Sequence, residues 1–189
     1  MNLATERPGS WPVTGDLSLR HLIERNLLEN WPRLFGYAFT LTGNADTARD
    51  LLQQSALQAL VTPSLPRSGD AVRAWLFRIV RNTWIDQYRR DAVRAAEAAA
   101  EPVGQEPWHF DDRMIAELTV RQGMARLEPL HREVVELVDI SGFRYAEAAD
   151  ILGIPIGTVM SRLSRARLAL LEAIGGNVHS LEAQRRRKS

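Results

Sequence analysis

The sequence predicts an all-α protein, built as two small helical domains joined by a flexible acidic linker, with a helix-turn-helix in the C-terminal domain. Apolar residues recur at helical spacing through most of the 189-residue chain. Residues 95–112 contain acidic residues, prolines and glycine but no lysine or arginine, which is typical of a linker. Residues 142–167, GFRYAEAADILGIPIGTVMSRLSRAR, are typical of two helices joined by a tight turn.

Residues 1–16 are polar and broken by two prolines and two glycines, so we expect a flexible extension without the apolar segment of a signal peptide. The first domain is predicted over residues 17–94. Its first apolar pattern covers residues 17–41 and is interrupted at Pro32, which leaves open one kinked helix or two helices. A second helix is predicted over 45–60, followed by a loop over 61–69.

The third helix is expected at 73–90 or slightly longer, with Asp70 as its cap. At about 100° per residue its polar residues Arg78, Arg81, Asn82 and Arg89 share one arc, opposite a buried stripe. Ile85 lies inside this arc and does not fit the simple pattern. The arc is either a solvated arginine face or a surface for a nucleic-acid backbone.

The second domain is predicted over residues 113–176, with helices ending near 127 and spanning 129–139 before the helix-turn-helix, and with a frayed basic tail at 177–189. Ala149, Gly153 and Val159 supply a small residue at the helix crossing, a glycine for positive φ and an apolar anchor. Pro155 is expected at about the first position of the second helix. The opposite, exposed face predicts a DNA-reading surface: Thr158, Met160, Ser161, Arg162, Ser164, Arg165 and Arg167.

Composition excludes several other functions. The chain has no cysteine, which excludes disulfides and thiolate metal sites, and its four histidines are scattered. No apolar run reaches the roughly 20 residues needed to span a bilayer, so we expect a cytoplasmic protein. The formal net charge of +1 is small for a protein that binds DNA by bulk electrostatics alone.

Two segments together resemble a known family: RAWLFRIVRNTWIDQYRR in the first domain and RLEPLHREVVELVDISGFRYAEAADILGIPIGTVMSRLSRAR in the second. They are similar to the second and fourth conserved regions of bacterial RNA polymerase sigma factors of the extracytoplasmic-function (ECF) group. The resemblance covers the chain from about residue 17 to 174, without a third-region domain between the two parts. It implies a promoter-specificity factor that is not an enzyme and needs no cofactor or metal.

By this resemblance, the C-terminal domain reads the minus-thirty-five element, and the third helix with its preceding loop captures the melted minus-ten strand. The implied minus-ten residues are Pro63, Ser64, Arg67, Ser68, Arg78, Arg81, Asn82 and Arg89. Unpaired bases are held by stacking or in shaped pockets. We expect Trp75 and Phe77 in the core, whereas Trp84 and Tyr88 suit either the core or base stacking.

The resemblance also implies partners. The second helix is similar to the segment that docks on the clamp of the largest polymerase subunit, and its implied docking residues are Asp46, Asp50, Gln53 and Gln54. Gln54 stands where an acidic residue is common, and Arg49 adds an unexpected positive charge. The other implied partners are the flap of the second-largest subunit, promoter DNA and an anti-sigma factor.

Two alternatives belong to other functional classes. An operator-binding helix-turn-helix dimer leaves the first domain without a function. A recombinase or nuclease needs a nucleophile or a carboxylate metal cluster, and the only adjacent acids, Asp111 and Asp112, lie in the linker.

Overall fold

The computed structural model describes residues 17–62, 66, 68–97 and 122–188, and these contain helices and turns but no strand. A helical turn at 122–126 precedes the second half of the structure. The helices are α1 (Leu17–Thr42), α2 (Ala45–Val61), α3 (Gly69–Glu97), α4 (Pro129–Val135) with its π-helical continuation (Glu136–Ile140), α5 (Tyr145–Leu152) and α6 (Ile156–Lys188).

Helices α1, α2 and α3 pack against one another and form an N-terminal unit. Leu34, Leu51 and Phe77, one from each helix, are fully buried in its core. Helix α1 continues through Pro32, so the chain forms one helix where the sequence left two arrangements open. Pro32 has no N–H to donate to the Leu28 carbonyl, and both residues are exposed, where water is available to that carbonyl.

Polar residues cap the N-terminal ends of α2 and α3. The side chain of Asn44 accepts hydrogen bonds from the backbone N–H groups of Asp46 (2.9 Å) and Thr47 (3.0 Å) and so caps α2. The expectation that Asp70 caps α3 is wrong. Ser68 occupies that position, where its carbonyl accepts from the Val72 N–H at 2.9 Å, and Asp70 lies in the first turn. There its negative charge interacts favourably with the positive end of the helix dipole.

The C-terminal unit contains α4, α5 and α6, and α5 with α6 forms the predicted helix-turn-helix. Gly153 has φ +65° after α5, which confirms the glycine in the turn. The N–H groups of Gly153 and Ile154 both donate to the Ala149 carbonyl and close the end of the helix. Pro155 lies one residue earlier than expected, because its carbonyl accepts the first bonds of α6, from Thr158 and Val159.

The backbone of α6 is helical to Lys188 and therefore continues through the region where the sequence predicts a basic tail. Helix α3 extends to Glu97, seven residues past residue 90, where the sequence predicts an end at that residue or slightly later. Most of the predicted acidic linker and the first part of the predicted helix that ends near residue 127 lie outside the described residues.

The two units pack directly on each other, and a buried carboxylate lies at the centre of the contact. Glu133 Oε1 in α4 accepts a hydrogen bond from the Tyr37 hydroxyl of α1 at 2.7 Å. The same oxygen accepts from Arg81 Nε of α3 at 2.9 Å. Burial and the nearby carboxylate raise the pKa of Tyr37 well above its usual value, so its hydroxyl stays protonated and donates.

An aromatic contact joins the units beside this carboxylate. The ring of Phe143, just before α5, meets Phe77 of α3 edge to face with centroids 4.8 Å apart. The guanidinium of Arg73 lies 4.2 Å from the centroid of the Phe143 ring and also donates to the Ser141 carbonyl. Burial lowers the pKa of Arg73. The side chain nevertheless remains charged at neutral pH, because the ordinary pKa of an arginine lies far above 7.

A second buried carboxylate, Glu136, begins the π-helical turn and lies against α1. Its Oε2 accepts from the Thr40 hydroxyl at 3.3 Å, and a Cβ added to Gly36 would lie 3.6 Å from its Oε1. In this turn the Ser141 N–H donates to the Glu136 carbonyl five residues earlier, at 2.8 Å. Burial raises the pKa of Glu136 to about 7.

Replacing Gly153 by alanine is expected to destabilise the C-terminal unit by about 1 kcal/mol, because a side chain at positive φ is strained. A Cβ there meets no atom within 4 Å, so the effect isolates the backbone strain. Gly157→Ala is the matched control, since its Cβ also meets nothing and alanine favours a helix. Urea unfolding measures both, and equal stability of the two variants would contradict the assignment.

Replacing Glu136 by glutamine is expected to remove one component of the pH dependence of stability. With a folded pKa near 7 and an ordinary value of 4.5, wild type takes up a proton on folding between these values. The free energy of unfolding of wild type therefore falls as pH rises from about 4.5 to 7. The decrease is larger than that of Glu136→Gln by on the order of 3 kcal/mol. Groups near this interface include Tyr37, Arg73, Arg81 and Glu133, which both proteins retain.

The measurement is thermal or urea unfolding of both proteins at several pH values between 4.5 and 8. Glu172→Gln provides the control, because Glu172 is exposed on α6. Parallel stability profiles for wild type and Glu136→Gln would show that Glu136 does not titrate in this range.

Candidate nucleic-acid interface

Helix α6 buries one side in the C-terminal unit and turns the other outward. Val159, Leu163 and Ala166 are buried, as the helical spacing predicts. Of the predicted DNA-reading residues, Met160, Ser161, Ser164, Arg165 and Arg167 are exposed, whereas Thr158 and Arg162 are half-buried. The exposed face therefore combines hydroxyl and guanidinium groups, which hydrogen-bond base edges and phosphates.

Two of these residues already have partners in the protein. Ser161 Oγ donates to the Thr158 carbonyl at 3.1 Å. Arg167 forms a two-point ion pair with Asp139, with Nη2 to Oδ1 at 2.5 Å and Nε to Oδ2 at 3.1 Å. The hydrogen bond to Asp139 raises the pKa of Arg167. The pair fixes the position of the charged guanidinium at the edge of the face.

An apolar groove runs beside the basic face, between the start of α5 and the middle of α6. Its exposed apolar lining comes from Tyr145, Met160, Leu168 and Leu171. Ser164, Arg165 and Arg167 form its polar edge. An exposed apolar groove with a charged edge suits contact with a protein segment.

Helix α3 carries the second predicted nucleic-acid face. Arg78, Asn82 and Arg89 are exposed, opposite the buried residues Leu76 and Val80. Arg81 differs from these three, because its side chain is only 20% exposed and is paired with Glu133. Ser68 is exposed at the start of the helix, whereas Pro63, Ser64 and Arg67 lie outside the described residues.

The aromatic residues of α3 divide between the core and the surface. Phe77 is fully buried, as expected, and Trp75 is partly buried against the core. The rings of Trp84 and Tyr88 lie 5.9 Å apart, and Tyr88 is 65% exposed. Tyr88 thus offers an open ring face of the kind on which an unpaired base stacks.

Helix α2 presents the predicted polymerase-docking residues to solvent. Asp46, Asp50, Gln53 and Gln54 are all exposed. Arg49 is paired with Asp46 at 2.6 Å, so the unexpected positive charge is compensated locally. Gln54 Oε1 accepts from Gln87 Nε2 of α3 at 2.6 Å, which links this surface to the third helix.

Sequence reasoning missed two sets of residues. Leu57 and Val61 follow the docking residues on α2 and are 67% and 75% exposed. Their helical spacing from Asp50 and Gln54 places them on the same face of the helix, so the sequence alone could have indicated them. The interdomain residues Tyr37, Glu133 and Phe143 carried no comparable signal, because a buried carboxylate is recognised only once its partners are placed.

Within residues 17–97 and 122–188, as far as they are described, no group of three or more histidines or acids is arranged to hold a metal ion. No described helix is both long enough and apolar enough to cross a bilayer.

Comparison with known proteins agrees with both halves of the structure. The family described as Sigma-70 region 2 matches residues 27–94, and the family described as Sigma-70, region 4 matches residues 112–170. The ECF RNA polymerase sigma factor EcfG of Rhodopseudomonas palustris is 34% identical over 157 residues, which cover 82% of this chain and 86% of that protein. The ECF sigma factor SigL of Mycobacterium tuberculosis is 35% identical over 143 residues, which cover 72% and 80%.

Solved structures show the same fold. The sigma factor RpoE of Bartonella quintana, in complex with the anti-sigma factor NepR, superposes with a TM-score of 0.70 at 30% identity over 80% of this chain and 96% of that one. CnrH, bound to the cytosolic domain of CnrY, has a TM-score of 0.53 at 22% identity, over 84% of this chain and 98% of that one. The two matched regions and these relatives show that the chain belongs to the ECF RNA polymerase sigma factors.

Proposed function

We propose that this sigma factor recognises its promoters through faces on α6 and α3 and docks on core polymerase through two further surfaces. The observation that carries the proposal is the outward face of α6, where Ser161, Ser164 and Arg165 are exposed opposite a fully buried stripe. A helix with one exposed polar face and one buried apolar face, held against α5 by a turn that contains a glycine, fits the major groove of duplex DNA.

On this face Arg165 is the residue we assign to base reading in the minus-thirty-five element. It is exposed on α6 and, unlike Arg167, is not held by Asp139. A guanidinium that donates two parallel hydrogen bonds suits the O6 and N7 acceptors of guanine. Met160 and Ser164 lie within about one and a half turns of it and add an apolar and a hydroxyl contact.

We assign the melted minus-ten strand to α3. Arg78, Asn82 and Arg89 supply exposed phosphate and base contacts, and Tyr88 supplies a ring for stacking. Holding an unpaired base favours the melted state of the promoter without covalent chemistry. This role fits a family of transcription factors rather than enzymes.

Core polymerase would be bound at two places. Asp50, Gln53 and Gln54 on α2, with the exposed Leu57 and Val61, combine polar groups and apolar area for the clamp of the largest subunit. The part of the apolar groove that Tyr145, Leu168 and Leu171 line, away from the residues assigned to DNA, suits the flap of the second-largest subunit. Because affinity is shared between DNA and polymerase contacts, a net charge of +1 is sufficient for this chain.

Control by an anti-sigma factor is the remaining part of the proposal. It is supported by the complex in which the Bartonella quintana RpoE was solved with the anti-sigma factor NepR. A factor of this kind acts in the bacterial cytoplasm and joins the nucleoid as part of the holoenzyme.

The decisive experiment is transcription in vitro with core RNA polymerase and fragmented genomic DNA of the source organism, with and without the protein. Discrete transcript starts that require the protein would establish its promoter use and reveal both promoter elements. If core enzyme is active and no such starts appear, an operator-binding regulator becomes the better explanation.

Replacing Arg165 by alanine is expected to weaken binding to the duplex element by about 1 to 3 kcal/mol and to relax selectivity at one base pair. Glu172→Ala, exposed further along α6, is the control and should leave binding unchanged. The measurement is fluorescence anisotropy with the mapped promoter and its single-base variants. Unchanged selectivity would remove Arg165 from base reading.

Replacing Asp50 by arginine is expected to impair capture of core polymerase, because it reverses a charge in the centre of the proposed clamp contact. Duplex DNA binding by the same full-length variant should persist. Glu24→Arg, an equal charge reversal at an exposed position of α1, is the control. Normal holoenzyme assembly by Asp50→Arg, measured by native gel shift, would refute the docking assignment.

A further inference from the structure

The guanidinium of Arg167 on α6 is held by a carboxylate from another element. Its Nη2 and Nε donate to the two oxygens of Asp139 at 2.5 and 3.1 Å. The partners lie 28 positions apart in the chain, one in the π-helical turn after α4 and one in α6. The hydrogen bond to Asp139 raises the pKa of Arg167 most, and the side chain of Tyr145 at the start of α5 adds to this effect.

Arg167 lies at one edge of the exposed face of α6, whereas Arg165 lies closer to its middle. At about 100° per residue the two are separated by about 160° around the helix axis, and Arg167 is only about 40° from the buried Leu163. When a helix lies in the major groove, its outward residues meet base edges and its flanks meet the phosphates. The position of Arg167 therefore suits a phosphate, and that of Arg165 suits a base.

The ion pair leaves Arg167 able to bind such a phosphate. A guanidinium has more N–H donors than one carboxylate occupies, and the side chain of Arg167 is 50% exposed. The charges of the pair nearly cancel, so the pair attracts duplex DNA of any sequence only weakly. Its contribution is geometric, because a side chain that is already fixed in place loses little conformational freedom when it binds.

Asp139 is itself attached to a rigid part of the C-terminal unit. The Phe143 N–H donates to the Leu137 carbonyl at 2.9 Å, and this bond closes the turn that contains Asp139. The side chain of Leu137 is fully buried. Asp139 thus fixes the guanidinium of Arg167 relative to the core of the unit.

We propose that Asp139 is a positioning residue for promoter recognition, which holds Arg167 so that its guanidinium meets one phosphate of the minus-thirty-five duplex and sets the orientation of α6. The inference rests on the minus-thirty-five role proposed above for α6. A fixed phosphate contact determines the register and angle at which a helix enters the groove. The base pair that Arg165 reaches thereby depends on Asp139, which acts through Arg167.

The test measures how full-length variants bind two duplexes by fluorescence anisotropy. One duplex carries the minus-thirty-five element mapped by transcription in vitro, and the other is a scrambled duplex of the same length and composition. Asp139→Asn removes the charge of the carboxylate and releases the guanidinium. We expect about threefold tighter binding of the scrambled duplex, because positive charge is gained. Binding of the mapped element should stay unchanged, because the lost orientation offsets that gain, so the preference for it falls about threefold.

Three further variants separate positioning from charge. Asp150→Asn, at an exposed position of α5, is the matched control, because it makes the same change of charge in the same unit and should leave the preference unchanged. Arg167→Lys keeps the positive charge but cannot form the two-point pair, so it should lower the preference without tighter binding of the scrambled duplex. In an Arg167→Ala background, Asp139→Asn should lower the preference no further.

An unchanged preference in Asp139→Asn, shown by circular dichroism to be folded, would overturn the proposal. A further fall of the same size in the Arg167→Ala background would also overturn it, because Asp139 would then act by another route. The side chain of Asp139 is 32% exposed, so loss of this surface pair should not unfold the unit. If Asp139→Asn nevertheless folds poorly, an unchanged preference in Arg167→Lys overturns the proposal in its place. Wild type without any preference for the mapped element would instead contradict the proposed function of α6.

Discussion

The arrangement of the whole molecule depends on how α4 satisfies its buried carboxylates. Glu133 and Glu136 lie one helical turn apart and point at the N-terminal unit, where Tyr37, Arg81 and Thr40 supply the hydrogen bonds. A buried carboxylate without such donors costs several kcal/mol. The orientation of α4 toward α1 and α3 is therefore fixed by hydrogen bonding as much as by apolar packing, and the helix-turn-helix is carried with it.

Within the C-terminal unit, local interactions set the geometry of the proposed DNA-reading face. The left-handed Gly153 ends α5, and the Arg144 N–H donates to Glu147 Oε2 at 2.8 Å to close its other end. Ala149 allows close approach of α6, whose outward residues are then determined by helical periodicity. The outward face of α6 thus follows from the turn and the helix packing within this unit.

The features that follow local rules could be predicted from the sequence. Helical periodicity indicated the buried stripe of α6 and the exposed arc of α3, and the glycine in the turn followed from the need for positive φ. Which of several neighbouring polar or proline residues lies at a helix start was less predictable. Ser68 rather than Asp70 caps α3, and Pro155 precedes α6. The pairing of Arg81 with Glu133 was beyond sequence reasoning, because 52 residues separate the partners and each alone is typical of a solvated surface.

The π-helical turn after α4 has a consequence for how this chain tolerates change in length. The wide turn lets Glu136 face α1 while Ser141 and Phe143, only a few residues later, meet Arg73 of α3. Each residue added to or removed from a helix rotates all later residues by about 100° about the helix axis. Between Glu136 and Phe143 the number of residues is thus constrained more tightly than their identity, so insertions and deletions should be rarer there among relatives than substitutions.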